Sequence, residues 1–377
     1  MAEKKFILAP DSFKESMTAQ EAAAAMERGI YSVFPDAECI KFPMADGGEG
    51  TVASLTAMTG GSICQHTVSG PFGEPVQAHY GLLTPDTAVI EIAECCGLQL
   101  ISPEQRDPGK ATSYGVGELI KHLLDRNISK LIVGLGGSCT NDGGAGMLTA
   151  LGASFLDTEG QPVAPGGLGL TYLAQIDMQK FDKRLKNLEV TVASDVKNPL
   201  TGVQGASRVF AKQKGADDAM IADLEIALKN YAHVLLQQFG RNVDTLPGAG
   251  AAGGLGAAFL AFFRTKMESG IDLLLRYSCL EERIPGTEYI FTGEGSVDFQ
   301  TAMGKTPSGI AKLAKRFDVP VIIFAGKVGK GLDKLYESGV QAVVKISDPA
   351  APLEKSLRDG QINMEKAVIS FLRNIYR

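Results

Sequence analysis

Residues 131–146 read LIVGLGGSCTNDGGAG, and how this stretch is parsed decides the fold. Residues 131–135 form an apolar run too short for a typical helix, which is the mark of a strand buried on both faces of a parallel sheet. Glycines then fall at 136, 137, 143, 144 and 146, mixed with Ser138, Thr140, Asn141 and Asp142. Strand, then a glycine-rich polar turn, then a helix is the unit from which open α/β sheets are built.

The same junction recurs on both sides of it. A short apolar run at 6–9 is followed by PDSFK at 10–14, and one at 39–42 by ADGGEGT at 45–51. The run at 190–193 leads into SDVKNPL at 194–200, that at 289–292 into GEGSVD at 293–298, and that at 321–325 into GK at 326–327. A last strand is expected at 342–345. Between the runs lie helical patterns: Thr18 and Glu21 are spaced as a capping box ahead of Ala22, Met26 and Ile30, and Pro307 stands where a first helical turn would be. Neither end of the chain supplies a full sheet, whereas two strands from the start and three from the finish make five. The expected fold class is therefore α/β: a discontinuous Rossmann-like parallel-sheet domain, 1–67 plus 285–377, with a second α/β domain inserted at 68–284 and the active site in the cleft between them.

Composition narrows the classes. The 377 residues carry a formal net charge of -6 with no long Lys/Arg run, which argues against nucleic acid as partner. No signal-like or bilayer-spanning stretch is visible, so no membrane partner and a cytoplasmic location are expected. The six cysteines show no CxxC spacing and are expected as buried or half-buried thiols.

In open parallel sheets, ligands bind beyond the carboxyl ends of the strands. Here those ends collect glycine, carboxylate and small hydroxyl residues. Glycine-rich backbone lets N–H groups crowd an anion, and Asp beside such loops holds Mg²⁺ or orients an attacking hydroxyl. The pattern thus points to phosphoryl transfer, which needs positioning and charge neutralisation more than a special nucleophile. Candidate catalytic residues are Asp195, Asp298 and Lys14, with Asp195 and Asp298 also the candidate Mg²⁺ ligands. Asp46 and Asp142 are next in line. The substrate and phosphate candidates are Asp11, Asp46, Gly47, Gly48, Gly136, Gly137, Ser138, Thr140, Asn141, Asp142, Arg208, Gly293, Glu294, Gly295 and Lys327. Arg208 and Lys214 are candidates for a substrate carboxylate. Which Asp is base and which holds metal stays open.

Two familiar motifs fail. GKT at 304–306 ends like a P-loop, but the first glycine would have to stand where Phe299 does. GAGAAG at 248–253 satisfies GxGxxG literally yet follows Leu246-Pro247 in place of a strand. It supports a rival reading as a nicotinamide-dependent dehydrogenase of small hydroxy acids, with Glu268 on the ribose. A second rival is a non-catalytic sensor of sugar acids or phosphates.

The motifs APDSFK at 9–14, FPMADGGEGT at 42–51, GLGGSCTNDGGAGM at 134–147, SDVKNPL at 194–200, GASR at 205–208, QKGA at 213–216, PGAGAAGG at 247–254, FTGEGSVDFQT at 291–301 and GK at 304–305 resemble the type-1 glycerate kinase family of bacteria. Ser194 and Ala211-Lys212 depart from that family's pattern. The resemblance implies D-glycerate and MgATP as small-molecule substrates, ATP and Mg²⁺ as cofactors, 2-phosphoglycerate as product, and a Rossmann-like domain split by an insertion. A homodimer is compatible with it.

Overall fold

The computed structural model describes residues 4–44, 50–299, 301–347 and 350–376. The chain divides into two compact units, Met1–Asp46 with Ser269–Arg377, and Gly47–Glu268.

The smaller unit opens with β1 (Lys5–Pro10) and β2 (Glu38–Lys41), joined by the helix Ala19–Tyr31. In the helix's capping box, Thr18 Oγ1 accepts from the Glu21 N–H at 3.2 Å and the Glu21 carboxylate from the Thr18 N–H at 2.8 Å. Its buried stripe of Ala22, Met26 and Ile30 packs with Met364, Val368 and Leu372 of the helix Gly360–Ile375. The approach is close because Gly29 has no side chain: a Cβ there would lie 2.8 Å from Val368 Cβ.

In the larger unit come β3 (Ser62–Ser69), β4 (Pro75–Thr84), β5 (Thr87–Glu91), β6 (Lys130–Gly134), a small hairpin of β7 (Ser154–Leu156) and β8 (Gln175–Asp177), β9 (Glu189–Ala193) and β10 (Arg264–Glu268). Its main sheet has the order β10-β9-β6-β5-β4-β3. Four of these strands are parallel, while β4 and β3 pair antiparallel. The sequence reading recognised only β6 and β9 here. β3 (SICQHTVS) and β10 (RTKME) are polar and half-exposed edge strands, and so lack the apolar run that reveals a central strand.

The chain then returns to the smaller unit with β11 (Tyr289–Val297), β12 (Val321–Val328) and β13 (Val340–Lys345). The first sheet is five-stranded and parallel throughout, in the order β13-β12-β11-β1-β2. Its core is aromatic, with the Phe6 and Phe291 rings 5.6 Å apart and those of Phe291 and Phe324 5.2 Å apart. Each such ring removed from water stabilises the fold by about 1.5–3 kcal/mol. Two strand boundaries differ from expectation, the first being that Gly326 and Lys327, expected to follow a strand, lie within β12. Residues 293–297, read as a loop, continue β11, because β1 and β12 flank it and pair with Gly293 from both sides. Only glycine fits there, since a Cβ would lie 2.2 Å from the Phe324 carbonyl oxygen.

All six cysteines are free. Five are buried or half-buried, as expected, but Cys279 is exposed, in a left-handed turn (φ 49°) between two short helices. No helix of the described residues is long and apolar enough to cross a membrane.

Candidate active site

In the smaller unit, the carboxyl ends of β1, β11, β12 and β13 open into a cavity of about 570 Å³, within the range of small-molecule sites. Asp11, Lys14, Glu294, Gly295, Lys305, Gly326, Lys327, Lys345 and Ser347 line its polar side, and Phe13, Ile346, Leu353 and Leu357 supply an apolar one. The two inner carboxylates are buried and held by named donors. Asp11 Oδ2 accepts from Thr306 Oγ1 at 2.9 Å, at the first turn of the helix Thr306–Lys315, and Asp11 Oδ1 accepts from the Ser12 N–H at 2.6 Å. Glu294 accepts from Thr301 Oγ1 and pairs with Lys305 Nζ at 3.3 Å. Glu15 also lines the cavity and is exposed, so Lys14, Lys305, Lys327 and Lys345 outnumber the carboxylates Asp11, Glu15 and Glu294 by one.

Asp298 is half-buried immediately past β11, where its N–H donates to Thr301 Oγ1 at 3.2 Å. Thr301 thereby ties the strand end to Glu294. Of the residues singled out in the sequence, Asp11, Lys14, Glu294, Gly295 and Lys327 share this cavity. Gly293 sits inside the ladder. Lys305 and Lys345 escaped the sequence reading, although Lys345 closes a strand and Lys305 stands in GK, both positions at which a signal was present.

The larger unit builds a different kind of strand end. The turn after β6 is pinned by backbone, with the Leu98 N–H donating to Gly137 O and the Cys139 N–H to Cys96 O, both at 2.9 Å. Asp142 is fully buried; its carboxylate accepts from Ser113 N–H and Ser113 Oγ (both 2.8 Å), Gly144 N–H (3.1 Å) and Gly146 N–H (3.2 Å). It is committed to holding the loop. Beside it, Asn141 Nδ2 donates to Ser207 Oγ at 3.0 Å, while buried Asn141 Oδ1 and Thr140 Oγ1 find no partner among the described residues.

The glycines at 248–254 serve this loop. A Cβ at Gly253 would lie 2.1 Å from Thr140 O, and one at Gly250 2.2 Å from Pro199 O. The Gly143 N–H donates to Gly253 O and the Gly250 N–H to Asn198 O, each at 3.0 Å. The segment is thus wedged between the turn after β6 and the turn after β9. No strand precedes it, so the context a dinucleotide fingerprint requires is missing.

Asp195 lies two residues beyond β9 and is exposed, as is Arg208 on the short helix Ala206–Phe210. Gly136 is half-buried and Gly137 exposed in a left-handed conformation (φ 76°). Ser138 and Lys214 are buried. Burial pushes the Cys139 thiol up to about 12, so it is inert at neutral pH. Asp46, Gly47 and Gly48 lie outside the described residues.

Residues 6–376 match the model of the glycerate kinase family. The chain is 46% identical over 363 residues to glycerate kinase of Bacillus subtilis, covering 96% of this chain and 95% of that one. It is 43% identical over 364 residues to glycerate 2-kinase of Escherichia coli, covering 96% of each. A crystal structure from Salmonella typhimurium LT2, provisionally described as glycerate kinase 2, superposes with a TM-score of 0.85 at 43% identity, over 99% of this chain and 98% of that one.

Proposed function

The chain belongs to the glycerate kinase family, and we propose that it transfers the γ-phosphoryl group of MgATP to the 2-hydroxyl of D-glycerate, releasing 2-phosphoglycerate. It is an ATP-dependent phosphotransferase. The observation that carries the reading is the lysine-lined cavity at the strand ends of the smaller unit. Phosphoryl transfer spreads charge over the moving group and asks the protein mainly to position and neutralise it. Lys14, Lys305, Lys327 and Lys345 suit a triphosphate, and Phe13, Ile346, Leu353 and Leu357 suit a base. Asp11 and Glu294 would repel phosphate if bare; Lys305 balances Glu294, and the lining lysines face Asp11. In the larger unit, the loop over 136–146 would take an anionic group of the substrate, with exposed Arg208 a further candidate for its carboxylate.

Mg²⁺ bound with the nucleotide would supply neutralising charge at the phosphates. No three His, Cys, Asp or Glu among the described residues cluster into a cage. Mg²⁺ in nucleotide sites is commonly held by one or two carboxylates together with substrate phosphates. Asp195, two residues past β9, and Asp298, just past β11, are our candidates for the carboxylate that would hold it and for the base that takes the proton leaving the glycerate hydroxyl. The need for ATP puts the reaction in the cytoplasm.

The test is ADP release by the purified protein, with the product identified by phosphorus NMR. Turnover should require both D-glycerate and Mg²⁺ and give 2-phosphoglycerate. Equal ADP release without glycerate, or full activity in EDTA, would overturn the assignment; 3-phosphoglycerate as product would overturn the choice of hydroxyl.

A further inference from the structure

Lys214 is the sole buried lysine or arginine among the described residues. It ends the one-turn helix Lys212–Lys214, and Gly215 after it adopts φ 102° against Arg106, where a Cβ would lie 2.5 Å from the Arg106 carbonyl oxygen. The ammonium forms no ion pair among the described residues. It donates instead to Ser138 Oγ at 2.9 Å and to Thr140 O at 2.7 Å, on the inner side of the turn after β6. The ionisable groups around it are Cys96 on the turn Ala93–Cys96, and Cys139 and Asp142 on the loop itself. Arg106 sits next door, bonded through Nη1 to Gln213 O at 3.2 Å.

An ammonium only donates, so in its bond to Ser138 the serine oxygen is the acceptor. The single hydroxyl proton of Ser138 must then go to something other than the lysine. Burying a cation without a carboxylate partner costs several kcal/mol, which an anion brought close would offset. We propose that Lys214 is a positioning residue: it fixes Ser138 as an obligate hydrogen-bond donor and places a positive charge behind the loop, so that the loop receives the anionic end of the substrate, the glycerate carboxylate or the phosphoryl group. This rests on the reading of 136–146 as an anion-binding loop.

Burial lowers the lysine to about 8, so its charge is present at neutral pH and lost just above. A neutral amine can accept the serine proton, which turns the hydroxyl inward. The sign for stability runs the same way. Because the folded state gives up the proton before the unfolded chain does, the burial cost is fully present below about 8 and is relieved as pH rises toward the ordinary lysine value.

The experiment is a double-mutant cycle of Lys214→Met and Ser138→Ala, reading KM for D-glycerate and for ATP, kcat and the thermal midpoint. Each single change should raise the KM of one and the same substrate by about tenfold, and the double variant should be no worse than Lys214→Met alone. Ser138→Thr, which keeps a hydroxyl, should restore the KM of that substrate to near the parent value. In the parent that KM should climb between neutral pH and about 9, beyond the lysine's titration, and in Ser138→Ala it should stay flat. If Ser138→Ala raises KM and Lys214→Met does not, the loop reading stands and the role of the lysine falls. If neither change moves either KM, the anion-binding loop itself is refuted. Should Lys214→Met not fold, the pH profiles of the parent and Ser138→Ala decide, and a KM that is flat in both overturns the proposal. Additive effects in the cycle would also overturn it, since they place the two residues in separate roles.

Discussion

The two strand-end regions handle charge in opposite ways. In the smaller unit the cations Lys14, Lys327 and Lys345 are exposed on the rim of a cavity, and the carboxylates Asp11 and Glu294 are buried beneath them on threonine hydroxyls. In the larger unit the cation is the buried group: Lys214 lies under a loop whose lining is backbone, Ser138, Thr140 and Asn141. Exposed lysines are mobile point charges that water and salt screen, and they can follow a phosphate as it moves. A buried lysine bonded to the main chain cannot move, but its field is screened far less. On the proposed function, the smaller unit would gather a highly charged ligand, and the larger would hold one anionic group in one place.

The largest effects should come from the carboxylates at the two strand ends. Asp298→Asn in the smaller unit and Asp195→Asn in the larger are each expected to lower kcat by about a hundredfold or more, the usual scale of losing a base or a metal ligand. Their thermal midpoints should stay near the parent's, because Asn keeps the turn and capping bonds. Asp36→Asn, on an exposed turn, is the control and should change neither quantity. If only one of the strand-end variants loses turnover, base and metal ligand both belong to that unit. A midpoint that falls in step with activity would make that Asp a structural cap.

Next come the rim lysines. Lys327→Met and Lys345→Met should each raise KM for ATP by about tenfold, roughly 1.4 kcal/mol of ground-state binding, while leaving KM for glycerate in place. Added salt should raise the parent's KM for ATP as well. The contribution assigned to Lys214 should resist salt, because a buried charge is little screened. Equal salt sensitivity in both would erase the contrast between the units.

How much of this could be read beforehand follows from what each feature depends on. The five parallel strands of the smaller unit were legible because four of them, β1, β11, β12 and β13, carry apolar or β-branched runs that end at proline, glycine or a charged residue. β3 and β10 were not, because an edge strand's polar face breaks the run. Rim residues such as Lys14 and Lys327 could be found by counting past the apolar runs, although Lys327 proves to lie within β12. The partners of Lys214 could not, since they depend on a contact across 74 and 76 residues of chain. The glycines at 248–254 carried a visible signal with two meanings, and the missing strand before them favoured tight packing over a dinucleotide site.

The smallest effect is expected where that packing is most contorted. Ala252, Gly253 and Gly254 run in a left-handed conformation, with φ of 53°, 65° and 94°. The two glycines have no alternative: besides the clash at Gly253, a Cβ at Gly254 would lie 2.9 Å from Gly143 Cα. Ala252 already carries a Cβ, and it bears the strain of the left-handed conformation. Three terms set the outcome of Ala252→Gly. Relief of the left-handed alanine favours the variant by about 1–2 kcal/mol. The greater freedom of glycine in the unfolded chain opposes it by about 0.5–1 kcal/mol. Loss of a half-buried methyl opposes it by up to about 0.8 kcal/mol. The sum is close to zero, so the midpoint should move by no more than a degree or two in either direction and kcat/KM should not change. Calorimetry beside steady-state kinetics reads both. A variant that is as stable as the parent but has lost activity would mean the strained turn shapes the loop over 140–143 for its substrate. The larger unit would then owe its grip on the anion to backbone conformation as well as to the buried lysine.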